Sequence, residues 1–125
     1  MDTRTKILTC AAARALPRGH LAVVTGTFNP LVAAHARQLA AVRDRTGGRP
    51  ILAIVLPAEP ELLPIHDRAG VVAALRMVDY VLISDRAETE KLIDVLAPIE
   101  TVRLEADDAI RTSQLIQHVH SRQIR

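Results

Sequence analysis

The chain has 125 residues, 49% of them hydrophobic, which suits one domain with a sizeable core and removes any need for a disulfide framework. Aromatic residues make up only 2%, so that core has to be built from Leu, Val, Ile and Ala. The net charge of +2 is spread along the chain without a basic run, and there is a single cysteine, Cys10; these features argue against nucleic-acid binding and exclude an internal disulfide.

In chain order, residues 3 to 15 carry Ile7, Leu8, Ala11 and Ala12 at helical spacing before Pro17 and Gly19 stop the pattern. This stretch is a poor signal peptide and too short to span a bilayer. With the lone thiol, that points to a cytoplasmic protein with no membrane partner. Cys10, among alanines, reads as a buried and inert thiol. "HLAVVTG" is a short β-branched run closed by Gly26 and predicts a strand. Residues 33 to 45 predict a helix, ended by Gly47 and Gly48. "PILAIVLP" is a continuous apolar strand, as expected when both faces of a parallel sheet are covered.

"PAEPELLP" predicts a loop, "HDRAGVVAALRMV" a helix and "DYVLIS" a strand. "DRAETEKLIDVLAP" predicts a helix in which Asp85 is the N-cap and Glu88 completes a capping-box pattern. "IETVRLE" predicts a strand, and a last helix opens near Arg111 to Ser113. Strand and helix alternate throughout. The expected fold is a single α/β domain over residues 1–125: a three-layer sandwich with a parallel, Rossmann-like sheet.

In such sheets ligands bind beyond the carboxyl ends of the strands. Gly26 to Pro30 occupies such an end. Glycine lets backbone N–H groups approach an anion, the helix start behind it adds partial positive charge, and Thr25 and Thr27 add hydroxyls. The structural alternative is ordinary turn chemistry between a strand and a helix.

Beyond that turn, "GTFNPLVAAH" resembles the first motif of the cytidylyltransferase-like nucleotidyltransferases, in which G-x-F-[D/N] leads into H-x-G-H. Gly26 and His35 are nine positions apart, in register with that motif, as are Phe28, Asn29 and Leu31. Val32 stands where the motif has its first His, and Ala34 where it has Gly. "DRAGVVAALRMVDYVLI" resembles the segment after the second strand in the ADP-heptose synthase and phosphocholine or phosphoethanolamine cytidylyltransferase branch. "IRTSQLIQHV" is similar to the family's last motif, a Ser/Thr-rich turn that opens a helix. The likeness runs from about residue 20 to 120; the helix expected within residues 1–18 lies outside it.

The resemblance implies transfer of a nucleoside monophosphate from CTP or ATP to a small phosphorylated or alcohol acceptor, with release of pyrophosphate. It implies Mg²⁺ entering with the nucleotide, and pairing into a homodimer, for which the aliphatic segment 3–16 is a candidate surface. By position, His35 and Arg111 would be the catalytic groups. Thr25, Gly26, Thr27, Phe28 and Asn29 would cradle the phosphates, and Arg111, Thr112 and Ser113 would hold their far end. Such catalysis rests on donors aimed at phosphoryl charge. Val32 donates nothing, and losing one such donor costs roughly 10²–10³ in rate. Ala34 adds a Cβ where the motif allows close approach, and no Lys or Arg lies between Arg49 and Arg68. The competing expectation is therefore an inactive binding or assembly module on the same fold.

Other polar residues have plain readings. His118 and His120 are two apart on a helix and point to different faces, so they cannot chelate together. No HExxH or CxxC spacing occurs, and no resident metal site is expected. His66 reads as a surface residue before a helix, Asp79 as structural, and Asp107 and Asp108 as ordinary acids near a helix N-terminus.

Overall fold

The computed structural model describes residues 3–124. Four parallel strands form its sheet: β1 (Ala22–Gly26), β2 (Ile51–Val55), β3 (Tyr80–Ile83) and β4 (Glu100–Arg103), in the order β3-β2-β1-β4. Val24 pairs with Ala53 on one side and Val102 on the other. The helices are α1 (Cys10–Arg14), α2 (Ala33–Arg45), α3 (Ile65–Ala73), α4 (Arg86–Leu96) and α5 (Glu105–Ile124).

Alternation along each strand divides the core in two. Val24, Ala53 and Val81 face Leu39 and Val42 of α2 and Val72 of α3. Val23, Ile54 and Leu82 face Ala13 of α1 and Leu92 and Leu96 of α4. Every residue of β1 and β2 is buried, which is why these segments read as unbroken apolar runs rather than alternating ones. The expected three-layer, Rossmann-like arrangement is the one observed. Among the described residues no helix is long and apolar enough to cross a membrane.

Three local expectations need correction. The helix expected over residues 3 to 15 is a 3-10 turn at Thr3–Lys6 followed, after a break, by α1. The break lets Ile7 bridge to Val81 and the Leu8 N–H bond to the Val81 carbonyl at 2.8 Å, while Thr9 caps α1. The segment packs on the body through Ala13 and Leu16. Cys10 is exposed rather than buried, because it starts a helix of one turn that sends Ala13 inward.

The last helix begins six residues earlier than expected. Glu105, Asp107 and Asp108 lie in its first turn, where carboxylates complement the helix dipole, and the Asp108 N–H bonds to the Leu104 carbonyl at 2.8 Å. Arg111, Thr112 and Ser113 therefore sit inside α5, with their backbone N–H groups turned into the helix. They do not form an anion-binding helix start.

Other expectations match. Asp85 caps α4, its side chain accepting the Glu88 N–H at 2.7 Å. Asp79 is structural: it accepts from Arg43 and from the Ile51 N–H, each at 2.9 Å.

Candidate functional site

Strand order reverses at β1: β2 and β3 lie on one side of it and β4 on the other. The crevice beyond the ends of β1 and β4 is thus the topological switch point, where open α/β sheets place ligands. Three segments meet there: the turn after β1, the start of α2, and the first turns of α5.

The turn is shaped to present donors. Phe28 has φ 48°, in the left-handed region that a bulky residue rarely adopts. This sends the successive N–H groups of Thr27 and Phe28 toward one point, as in an anion-binding nest. The Phe28 ring is fully buried, with its centroid 5.1 Å from that of His35.

That point is occupied by the chain's own carboxylate. Asp108 Oδ2 accepts from the Thr27 N–H at 2.8 Å and the Phe28 N–H at 3.3 Å, with the Thr27 hydroxyl at 3.4 Å. Its other oxygen, Oδ1, lies 2.5 Å from His35 Nε2 and 3.2 Å from Arg111 Nη1. Gly26 is required by this arrangement. A Cβ on it would fall 2.8 Å from Asp108 Oδ2 and 3.1 Å from the Phe28 ring.

His35 is held on both sides. Its Nδ1 accepts the Val32 N–H at 2.9 Å, closing the start of α2. Nδ1 therefore carries no proton, and Nε2 is the donor to Asp108. Arg111 Nη1 is 3.3 Å from that same Nε2. Two donors cannot bond to each other, so this is a contact rather than a hydrogen bond. Burial raises the Asp108 pKa, but its hydrogen-bonding and electrostatic contact with His35 and the hydrogen bonds from the Thr27 and Phe28 N–H groups outweigh it and hold the carboxyl below its ordinary range.

A second clamp fixes the turn from below. The Arg68 side chain is fully buried and donates to the carbonyls of Thr27 (2.7 Å), Leu56 (2.8 Å) and Leu63 (2.9 Å), and to Glu61 (3.0 Å). It lies on α3.

The remaining expected site residues are equally engaged. Thr25 is buried and its hydroxyl donates to Glu105. Asn29 donates to the Pro60 carbonyl at 2.8 Å and accepts the Leu62 and Leu63 N–H groups at 2.8 and 3.1 Å. Thr112 donates to the Asn29 carbonyl at 2.7 Å. Arg111 also reaches Gln38 at 3.3 Å. Ser113 alone of the group is exposed on α5.

The turn and α5 thus meet, as the sequence reading required, yet the hollow between them is filled. Asp108 and Arg68 are the residues that reading missed. The only hint of Asp108 was its place in an acidic run, which has an ordinary explanation. Arg68 stood out only as the first Lys or Arg after Arg49, within a predicted helix.

An open cleft of about 650 Å³ lies alongside, between α5 and the loop after β2. Thr27, Asn29, Thr112 and Ser113 reach its wall, whereas His35, Asp108 and Arg111 do not. Its charged lining residues are Arg86, Glu59 and Glu105. Among the described residues no three His, Cys, Asp or Glu side chains are gathered as metal ligands.

No protein-family model matches the chain, and no curated protein matches it. Among solved structures it is similar to the crystal structure of the lipopolysaccharide core biosynthesis protein from Thermoplasma volcanium GSS1. That similarity has 17% identity and a TM-score of 0.53, over 64% of this chain and 70% of the other. At that identity the likeness establishes a shared α/β fold.

Proposed function

We propose that this chain is a nucleotidyltransferase-fold domain that binds a small molecule in its open cleft and does not transfer nucleotidyl groups. One observation carries the reading: the Asp108 carboxylate sits on the Thr27 and Phe28 N–H groups and on His35, the donors a transferred phosphate would need. A phosphate entering there has to expel a tethered anion. Each 1.4 kcal/mol by which the closed form is favoured lowers phosphate affinity about tenfold. The lining of the cleft agrees, since one arginine faces two glutamates and disfavours a polyphosphate.

The second reading is nucleotidyl transfer from CTP or ATP to a small acceptor. It is favoured by the register of Gly26 and His35 and by the meeting of the turn with α5 at Thr112. It needs the start of α5 to withdraw, releasing His35 and Arg111 toward phosphate. Mg²⁺ would enter on the triphosphate, because the described residues offer no ligand set for a resident ion.

Calorimetry with CTP and ATP, each with Mg²⁺, together with a pyrophosphate-release assay, separates the two. The expected result is no saturable binding and no release, both for the natural chain and for the double variant Val32→His, Ala34→Gly. The variant restores the motif but leaves Asp108 in place. Release of pyrophosphate by either protein establishes the enzyme reading.

A further inference from the structure

The cleft's polar lining says what it can take. Thr27, Asn29 and Thr112 present groups already engaged within the fold. Arg68, just beneath, is likewise fully engaged. Four lining side chains make no hydrogen bond or ion pair among the described residues: Arg86, Glu59, Ser113 and Gln117. Arg86 also lines an adjoining hollow of about 590 Å³, where the other arginine, Arg103, is held by both oxygens of Glu90. Among the described residues, Arg86 is therefore the one unengaged cation at the cleft. It is exposed on the first residue of α4, where the helix start adds to its attraction for an anion.

The rest of the wall is apolar. Leu56, Pro57, Ala58 and Pro60 form one side, and Ala109 and Ile116 of α5 the other. The volume lies within the range that holds a whole small organic ligand. A second or third negative charge would meet Glu59 and Glu105 with no further cation to receive it.

We infer that the cleft binds an amphipathic small molecule carrying a single negative charge, its anionic group at Arg86 and its apolar body between the Pro57–Pro60 wall and the α5 face at Ala109 and Ile116. This rests on the reading that Asp108 closes the phosphate cradle. It adds the ligand class: one fixed anion on an apolar frame.

The test uses the full chain and the dye 8-anilinonaphthalene-1-sulfonate, an apolar ring system with one sulfonate, followed by fluorescence. Saturable binding at one site is expected. Arg86→Gln should weaken it about tenfold, the worth of one charge-assisted contact. Ala109→Trp, which fills the cleft from an exposed helix position, should abolish it. Ile110→Lys and Val119→Lys, on exposed α5 positions outside the cleft, should leave it unchanged. Millimolar pyrophosphate should not displace the dye. Thermal melts of each variant establish that it is folded.

Dye affinity indifferent to Arg86→Gln or to Ala109→Trp, or displacement by pyrophosphate, overturns the inference. The functional reading fails on a different signal, pyrophosphate release from CTP or ATP.

Discussion

His35 Nε2 donates to Asp108 Oδ1 across 2.5 Å, and both side chains are 1% exposed. The pair is sealed from the cleft, with a backbone N–H bound behind the imidazole and two more on the far carboxylate oxygen. This geometry suits a structural lock. A general base would need to reach a substrate atom, and neither group lines the open space.

Replacing the carboxylate tests the lock. In Asp108→Asn one amide oxygen can still accept from Thr27, but the NH₂ group then faces the His35 N–H, and no rotation satisfies both sides. His35 cannot change tautomer without losing the Val32 bond. We expect a loss of roughly 2–3 kcal/mol near neutral pH, from a charge-assisted bond and a stranded buried donor. The pH dependence has a definite sign. Because the folded carboxyl titrates below its unfolded value of about 3.9, its contribution is complete above that pH and declines as pH falls through the lower, folded value. Urea titrations of both proteins should show a stability gap that is constant above about pH 5 and narrows toward pH 2. A gap that widens on acidification contradicts the assignment.

Gly26 and Asp108 are coupled sterically. A Cβ at Gly26 would lie 2.8 Å from Oδ2 of a carboxylate held by two backbone N–H groups, and 3.1 Å from the buried Phe28 ring. Gly26→Ala should therefore cost about 1–3 kcal/mol, as overpacking does. In an Asp108→Ala background the carboxylate contact is gone and only the ring contact remains, so the same substitution should cost less. A double-mutant cycle by chemical denaturation should return a coupling of at least about 0.5 kcal/mol. Strict additivity would mean that the carboxylate moves aside freely.

Arg68 is the second thing that holds the turn. Arg68→Met keeps much of the aliphatic volume but leaves the carbonyls of Thr27, Leu56 and Leu63 without their shared donor. Stranded buried acceptors cost about 1–3 kcal/mol each. The melting temperature should fall by roughly 10 °C or more. Arg68→Lys should recover only part of this, since one ammonium cannot span the guanidinium's several directions. An unchanged melting temperature in Arg68→Met would show that the turn holds its shape without the clamp.

Much of the fold was legible locally. The four strands, the burial of β2 on both faces and the parallel layout follow from short apolar runs alternating with helical periods, because a hydrophobic period is a property of neighbouring residues. The places that misled are also local in cause. Asp107 and Asp108 read correctly as acids of a helix N-terminus, but the sequence pattern places the start itself near Arg111 to Ser113, whereas the acids lie inside the first turn and α5 starts at Glu105. The break at Ile7 to Thr9 depends on a partner, Val81, that helical spacing does not encode.

The sequence by itself determined that a glycine turn and a histidine-bearing helix would meet a last helix at the end of a parallel sheet. Only the tertiary structure decided what lies between them. Asp108 is 81 residues from Thr27 and 73 from His35, and helical periodicity assigns it a face but no partner. Its position is set by β4 pairing with β1 on the side opposite β2, which carries the start of α5 over the turn. Hydrogen-bond donors aimed at one point attract an anion from any source, and in this fold the nearest anion belongs to the chain itself.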